Sequence, residues 1–188
     1  MESKQENARA SSGNEAERLL LKRIARQDRE ALTELFLNYH ARLFKFVFRL
    51  TSSYTIADEL VNDIMLLVWR KAGSFRGESK VSTWIFGIAY RQTMRRFSKK
   101  QIQLSLHVNP DELPVYDTSQ LETENLVQHA LHSLPAAQRL TIELVFYLGL
   151  SYEETAEVTQ CPVNTVKTRM FHARRKLKKI LTEEHTNE

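Results

Sequence analysis

The stretch SYEETAEVTQCPVNTVKTRMFHARRKL, residues 151–177, decides the fold of the C-terminal part of the chain. Ser151 is followed three residues later by Glu154, and this spacing predicts a capping box at the start of a short helix. The triplet Gln160-Cys161-Pro162 interrupts the helical pattern, after which a basic helix is predicted to run to about Leu181. A short helix, a tight turn and a basic helix together predict a helix-turn-helix.

The second helix of this motif carries polar side chains on a face that could reach base edges in the major groove of DNA. The predicted base-reading residues are Asn164, Thr165, Lys167, Thr168 and Phe171. The residues that could neutralise phosphates are Arg169, Arg174, Arg175 and Lys176. Ala156 and Val166 supply the small or apolar side chains that a helix crossing requires. A plain helical hairpin with a basic tail is the alternative interpretation.

The N-terminal half predicts four further helices, over about residues 17–27, 29–50, 55–72 and 83–99, because apolar residues recur there at helical spacing. Asp28 is a predicted N-cap for the second of these helices, and Gly73 a predicted C-cap for the third. The polar loop SFRGESKVS, residues 74–82, precedes the fourth helix. Residues 1–16 are polar and are predicted to be disordered.

The predicted fold class is all-α, with two small helical domains joined by a flexible linker. Residues 100–123 carry Pro110, Pro114 and scattered acids without a sustained period, and they form the predicted linker. A four-helix unit is predicted over residues 17–99 and the helix-turn-helix unit over residues 124–182, followed by a tail at 183–188. The second unit also includes a predicted helix over about 126–131 and another with Pro135 in its first turn.

Composition excludes several classes of protein. Five glycines and four prolines are few for 188 residues, which favours long helices over a β-sandwich or barrel. No run of eighteen apolar residues exists, so no membrane insertion is expected. The single cysteine, Cys161, excludes an internal disulfide framework and fits a reducing cytoplasm.

The distribution of charge says more than the net charge of +4. No acid lies between Glu78 and Asp111, while six basic residues do, and residues 167–179 hold seven basic residues and no acid. Two separate basic blocks indicate two contacts with one polyanion. A pair of solvated helix faces is the alternative.

Two further patterns lie in the N-terminal unit. The segment TWIFGIAYRQTMRR, residues 83–96, places aromatic residues beside arginines, as sites for single-stranded nucleic acid do, although core packing explains the aromatics equally well. On the preceding helix one face opposite the core stripe carries four residues, Glu59, Asn62, Asp63 and Leu66. This face is either simply solvated or a docking surface for a basic partner.

Taken in order, these segments resemble a known family. ALTELFLNYHARLFKFVFRL, residues 31–50, and ADELVNDIMLLVWRKAGSFRGESKVSTWIFGIAYRQTMRR, residues 57–96, resemble the second conserved region of extracytoplasmic-function (ECF) sigma factors of the sigma-70 superfamily. LPAAQRLTIELVFYLGLSYEETAEVTQCPVNTVKTRMFHARRKL, residues 134–177, resembles their fourth region. The resemblance implies a factor that binds RNA polymerase core, recognises and melts promoter DNA, and initiates transcription of a specific regulon.

The resemblance also implies roles for particular residues. Docking on the clamp coiled coil of the polymerase β′ subunit falls to Glu59, Asn62, Asp63 and Leu66. Capture of a flipped base of the minus-ten element falls to the loop residues Phe75, Arg76, Gly77, Glu78, Ser79 and Lys80. The next helix would line the melted strand through Trp84, Arg91, Arg95 and Arg96. The helix-turn-helix would bind the minus-thirty-five element as duplex, through the base-reading and phosphate-neutralising residues given above.

The expected partners are RNA polymerase core, through its β′ clamp coiled coil and its β flap, promoter DNA, and an anti-sigma factor. The expected location is the cytoplasm, where an anti-sigma factor could hold the chain at the inner face of the membrane. Arg91 departs from the usual Asn of the family, and an arginine cannot accept a hydrogen bond, so the minus-ten sequence cannot be copied from relatives. Asn164 stands where Gly is frequent and adds a base contact.

The alternative function is a conventional helix-turn-helix DNA-binding transcriptional regulator, which leaves the Glu59 face and the Trp84 helix without a role. An enzyme is not expected, because neither a phosphate-binding glycine loop nor a nucleophile motif is present. His129 and His132 form a helical pair but lack further ligands, so no metal, cofactor or catalytic residue is expected.

Overall fold

The computed structural model describes residues 2–51, 53–104, 130–131 and 133–184. In these residues the helices are α1 (Glu2–Ile24), α2 (Arg29–Thr51), α3 (Tyr54–Lys71), α4 (Val81–Leu104), α5 (Ala136–Ile142), α6 (Tyr152–Thr159) and α7 (Val163–Glu184). A 3₁₀ turn, Ala72–Ser74, follows α3, and a π-helical segment, Glu143–Tyr147, follows α5. Two compact units form, the first from α1 to α4 up to Ser98 and the second containing α5, the start of α6 and α7. The predicted all-α class is confirmed.

The core of the first unit lies between α2 and its neighbours α1 and α3. The buried stripe of α2 includes Leu35, Tyr39 and Leu43 at a spacing of four residues, which keeps them on one face of a helix. Phe86 on α4 completes this core, since its ring meets the Phe46 ring edge-on at a centroid distance of 5.7 Å. The amphipathic pattern of each helix therefore decides which faces pack together.

The N-terminus differs from the prediction of disorder for residues 1–16. Helix α1 begins at Glu2 and runs to Ile24, without a break at residue 16. Its later turns are held by contacts to distant parts of the unit, including a bond from the Val81 N–H to Asn14 Oδ1 at 3.1 Å. Once these turns are fixed, each preceding residue adds one backbone hydrogen bond at little further cost, so the helix extends into a polar segment that has no apolar stripe.

The predicted caps had different outcomes. Asp28 Oδ1 accepts the N–H of Ala31 at 3.1 Å, as expected for the N-cap of α2. This bond, followed by the Arg23 guanidinium at 2.8 Å, holds the pKa of the Asp28 carboxyl below its usual range. The prediction of Gly73 as the C-cap of α3 was wrong, because Ala72 occupies that position. Ala72, at a φ of −54°, leads instead into the 3₁₀ turn, which closes the helix end with tighter hydrogen bonds.

The second unit packs α5 against α7. Its buried cluster consists of Leu131, Leu134, Ile142, Met170 and Ala173. Pro135 occupies the N-cap of α5 rather than its first turn, and the helix widens after Ile142, where the N–H of Leu148 bonds to the carbonyl of Glu143 at 3.1 Å. Residues 100–104 of the predicted linker instead continue α4. Residues 105–123 of the predicted linker, 126–129 of the predicted helix and 185–188 of the tail lie outside the described residues. Within those residues no helix is both long and apolar enough to span a membrane.

Candidate nucleic-acid and polymerase interface

The helix-turn-helix forms in the second unit as predicted. The N–H of Ser151 donates to Glu154 Oε2 at 2.8 Å, and the N–H of Glu154 donates to Ser151 Oγ at 3.1 Å, which is the reciprocal pair of a capping box. Gln160 adopts a φ of +53° in the turn after α6, and α7 begins two residues after Cys161. Ala156 and Val166 are both buried, as a helix crossing requires.

The start of α7 presents most of the predicted base-reading residues to solvent. Asn164, Lys167 and Thr168 are exposed, Thr165 is half-buried, and Phe171 keeps 62% of its surface exposed. An exposed aromatic side chain of this size on a basic helix is available to contact a partner. The Thr168 hydroxyl donates to the carbonyl of Asn164 at 2.9 Å, so in the free chain its proton is used within the helix.

The predicted phosphate-binding residues divide into two groups. Arg174 lies over the Phe146 ring at 5.3 Å and Arg175 over the Phe171 ring at 6.0 Å, and both side chains stay exposed. Lys176 instead donates to the carbonyl of Ser133 at 2.6 Å. Half-buried Arg169 donates to Cys161 Sγ at 3.6 Å, so the structure turns these last two cations towards their own unit.

A pocket of about 300 Å³ is lined by some of the predicted DNA-binding residues together with residues that were not predicted. Its lining is Tyr152, Lys167, Met170, Phe171, Arg174, Arg175 and Lys178. Lys178 lies four residues after Arg174, and this spacing places both on the same face of α7. The sequence therefore contained the signal that could have added Lys178 to the predicted set. Four cations around an apolar floor form a surface suited to a polyanion.

Glu153 is close to Lys167 and was not among the predicted site residues. Hydrogen bonding from its own backbone N–H, followed by the Ser151 hydroxyl, lowers the pKa of its carboxyl, and the Lys167 ammonium lowers it further. A carboxylate near Lys167 favours the charged form of both groups. The predicted base-reading lysine therefore lies within the electrostatic reach of an acid at the start of α6.

The predicted minus-ten loop is a short bend in the first unit. Gly77 adopts a φ of +76°, a backbone conformation that favours glycine. Arg76 and Glu78 are exposed and approach each other to 4.0 Å. The Phe75 and Trp84 rings meet at 5.5 Å with a tilt of 58°, so one aromatic pair joins the loop to the beginning of α4.

Helix α1 holds this loop through side chains that were not predicted to take part. Arg18 Nη2 donates to the carbonyl of Gly77 at 2.8 Å and to that of Ser79 at 3.4 Å. Asn14 accepts the N–H of Val81, the first residue of α4. Neither residue belongs to a recognisable motif, because the bonds join positions 59 and 67 residues apart in sequence. We refer to these contacts of Arg18 and Asn14 as the α1 clasp.

The remaining predicted minus-ten residues lie along α4. Trp84 is half-buried, whereas Phe86 is fully buried, so core packing was the correct interpretation for Phe86. Arg91, Arg95 and Arg96 are exposed, and the Arg91 guanidinium lies back along the helix, 3.3 Å from where a Cβ on Gly87 would stand. These exposed arginines are available to a nucleic-acid backbone.

The predicted polymerase-docking face lies on α3. Glu59, Asn62, Asp63 and Leu66 are all exposed, and Leu66 keeps 47% of its surface in solvent. The Asn62 side-chain amide donates to the carbonyl of Asp58 at 3.1 Å. Glu59 Oε2 accepts a bond from Arg96 Nη2 at 3.3 Å, so the docking face and the arginines of α4 meet at one ion pair. The described part of the chain, including this face, contains no group of three or more His, Cys, Asp or Glu residues that could hold a metal ion.

Comparison with known proteins identifies the family. Family models for Sigma-70 region 2 and Sigma-70 region 4 match residues 35–102 and 124–177. The ECF RNA polymerase sigma factor SigM of Mycobacterium tuberculosis is 36% identical over 156 residues, which cover 82% of this chain and 79% of that protein. The chain belongs to the ECF sigma factors.

Other relatives of this ECF sigma factor agree with the assignment. The RNA polymerase sigma-H factor of Pseudomonas aeruginosa is 28% identical over 186 residues, covering 89% of this chain and 94% of that protein. The solved sigma factor RpoE from Bartonella quintana, in complex with the anti-sigma factor NepR, has a TM-score of 0.66 at 28% identity and covers 80% of this chain and 96% of that chain. CnrH, solved with the cytosolic domain of CnrY, shares the fold with a TM-score of 0.67 at 22% identity, over 89% of this chain and 98% of that chain.

Proposed function

We propose that this ECF sigma factor binds core RNA polymerase, directs it to promoter DNA and takes part in melting the promoter. The observation that carries the proposal is the order of the two sigma-70 regions on one chain, region 2 at residues 35–102 and region 4 at residues 124–177. A conventional helix-turn-helix regulator needs only the second of these regions. We infer that the chain acts by binding alone and has no enzyme activity.

The first unit, proposed to span residues 17–99, would carry both the polymerase contact and the minus-ten contact. The exposed α3 face of Glu59, Asn62, Asp63 and Leu66 is the proposed surface for the β′ clamp coiled coil. The loop over residues 75–80 and the exposed arginines of α4 are the proposed contacts to the unpaired strand. Aromatic rings stack on bases and guanidinium groups follow the backbone, so the Phe75–Trp84 pair and the arginines suit single-stranded DNA.

The second unit, proposed to span residues 124–182, would bind the minus-thirty-five element as duplex. In this proposal α7 enters the major groove, with Asn164 and Lys167 at base edges and Arg174 and Arg175 at phosphates. Arg169 and Lys176 would act mainly within the unit, because each already donates a bond to a neighbouring group. The residues over 100–123 would act as the linker.

Regulation by an anti-sigma factor is a further part of the proposal. The solved relative RpoE is bound to the anti-sigma factor NepR, and it covers 80% of this chain. We propose a cytoplasmic location for this chain, with sequestration at the inner face of the membrane where the anti-sigma factor is itself anchored there. The β flap of the polymerase is the proposed contact for the second unit.

Reconstituted transcription tests the proposed function. Purified chain is added to bacterial core polymerase on a fragmented genomic library, and the transcript starts are sequenced. Discrete starts that share two motifs at a fixed spacing are expected. A matched pair of variants locates the polymerase contact, since Asp63→Lys should abolish these starts and Glu34→Lys, also exposed but on α2, should keep them. A chain that neither binds core polymerase nor produces discrete starts would refute the proposal.

A further inference from the structure

A cleft of about 410 Å³ lies between α1 and the loop over residues 75–80. This volume falls in the range of sites that hold small ligands or parts of larger ones. Its lining is Arg18, Leu21, Lys22, Ala25, Arg26, Ala72, Gly73, Phe75, Arg76 and Gly77. Four of these residues are basic and none is acidic, so the cleft presents concentrated positive charge.

The positive charge comes mainly from α1 and the turn that follows it. Arg18 and Lys22 lie one helical turn apart on α1, and Arg26 follows in the turn directly after the helix ends at Ile24. Lys22 and Arg26 are exposed, and neither pairs with a carboxylate among the described residues. The neighbouring Arg23 instead faces away and pairs with Asp28 at 2.8 Å. Like charges at this spacing repel each other, so a bound anion would relieve the repulsion.

The α1 clasp gives the cleft its shape. Through its two hydrogen bonds, Arg18 holds the carbonyls of Gly77 and Ser79 towards α1. The loop therefore forms the wall of the cleft opposite α1. Phe75 lies in that wall and meets Trp84 at 5.5 Å. An aromatic pair next to a row of cations is the arrangement with which proteins hold single-stranded nucleic acid, where rings contact bases and cations contact phosphates.

We propose that this cleft holds a backbone phosphate of the unpaired minus-ten strand, with Lys22 and Arg26 as the phosphate-binding residues. The proposal rests on the proposed function. It adds residues of α1 to the loop and to helix α4, which are already assigned to that strand. Helix α1 is then part of the DNA site as well as a support for the fold. The ligand class is a phosphodiester of single-stranded DNA.

The test compares Lys22→Gln and Arg26→Gln with Lys45→Gln, an exposed control on α2 that removes the same charge outside the cleft. Each chain is assembled with core polymerase and bound to promoter DNA whose minus-ten region is unpaired, and fluorescence anisotropy is recorded across salt concentrations. Each cleft variant is expected to lower the slope of log affinity against log salt by about 0.7, the value for one contact to a single strand. The control is expected to keep the wild-type slope.

Two further measurements show whether a loss of affinity comes from the unpaired strand or from contacts to polymerase or paired DNA. Affinity for core polymerase, and binding to a fully paired fragment with the minus-thirty-five element alone, should not change in the cleft variants. The proposal is overturned if both variants keep the wild-type slope, if the control loses as much, or if the loss is equal on fully paired DNA. Absence of promoter binding by the wild-type holoenzyme would refute the proposed function itself.

Discussion

Replacing Arg18 by alanine should loosen the minus-ten loop without unfolding the first unit. The substitution removes the bond from Nη2 to the carbonyl of Gly77 at 2.8 Å and the longer one to Ser79 at 3.4 Å. A hydrogen bond from a charged donor contributes about 1.5–3 kcal/mol, and the lower part of this range applies because the group is only half-buried and water can replace it. The second bond is long and adds little.

A loss of about 1.5–2 kcal/mol corresponds to a change of about 10- to 30-fold in the equilibrium between the held and released loop. Hydrogen exchange measured by mass spectrometry should therefore show faster exchange by that factor for the amides of residues 75–81. The rest of the first unit should change little, because its core lies between α1, α2 and α3 and does not include these bonds.

Arg23→Ala is the matched control, since it removes an arginine from the same helix whose ion pair with Asp28 does not touch the loop. Promoter opening by the holoenzyme, followed by permanganate reactivity of unpaired thymines, should fall in Arg18→Ala while affinity for core polymerase stays the same. Unchanged exchange in the loop would show that Arg18 does not hold it, and so would an equal acceleration across the whole unit.

The second unit supports three more predictions. Ser151→Ala removes one half of the capping box and should lower the free energy of unfolding by about 1 kcal/mol. Urea denaturation of the full chain measures this change, and an unshifted midpoint would contradict the prediction. Lys167→Ala should weaken cognate promoters by about 1–3 kcal/mol if it reads a base, whereas Arg175→Ala should weaken all sequences alike and lower the salt slope by about one; equal, sequence-independent losses would show that the reading face is misassigned. The pKa of Glu153 is lowered in the folded chain, so its stabilising contribution is present above the ordinary value of 4.5 and is lost as the pH falls through the lowered pKa. The difference in melting temperature between wild type and Glu153→Gln should accordingly shrink below pH 4.5, and a difference that persists at the acid end would contradict the assignment.

The ion pair between Glu59 and Arg96 lies at the surface of the first unit. Both side chains are more than half exposed, so the pair contributes little to stability, about 0–1 kcal/mol. A basic partner on the α3 face could compete for Glu59 without unfolding the unit. The negative charge of Glu59 is therefore available for binding and is not required for folding.

Much of the fold could be predicted from the sequence because its signals are local. The capping box of Ser151 and Glu154 and the N-cap at Asp28 involve residues within one helical turn, so the sequence spacing already contains the geometry. The apolar period likewise predicted the buried faces of α2 and α3 and the burial of Val166 at the helix crossing. The family was predicted from a resemblance, since two segments on one chain resemble, in order, the second and fourth regions of ECF sigma factors.

How these elements form a candidate site depends on contacts between residues far apart in sequence. The α1 clasp joins Arg18 to the loop, 59 residues away, and Asn14 to the first residue of α4, 67 residues away, and no local rule of spacing predicts such contacts. The same holds for Lys176, whose exposed ammonium bonds to the carbonyl of Ser133, 43 residues away in sequence. Local sequence determines which helices form and which faces they bury, because those preferences act within a few residues. Which polar side chains meet across the unit depends on how the helices pack, since a cation binds whatever carbonyl or phosphate the packing brings within reach.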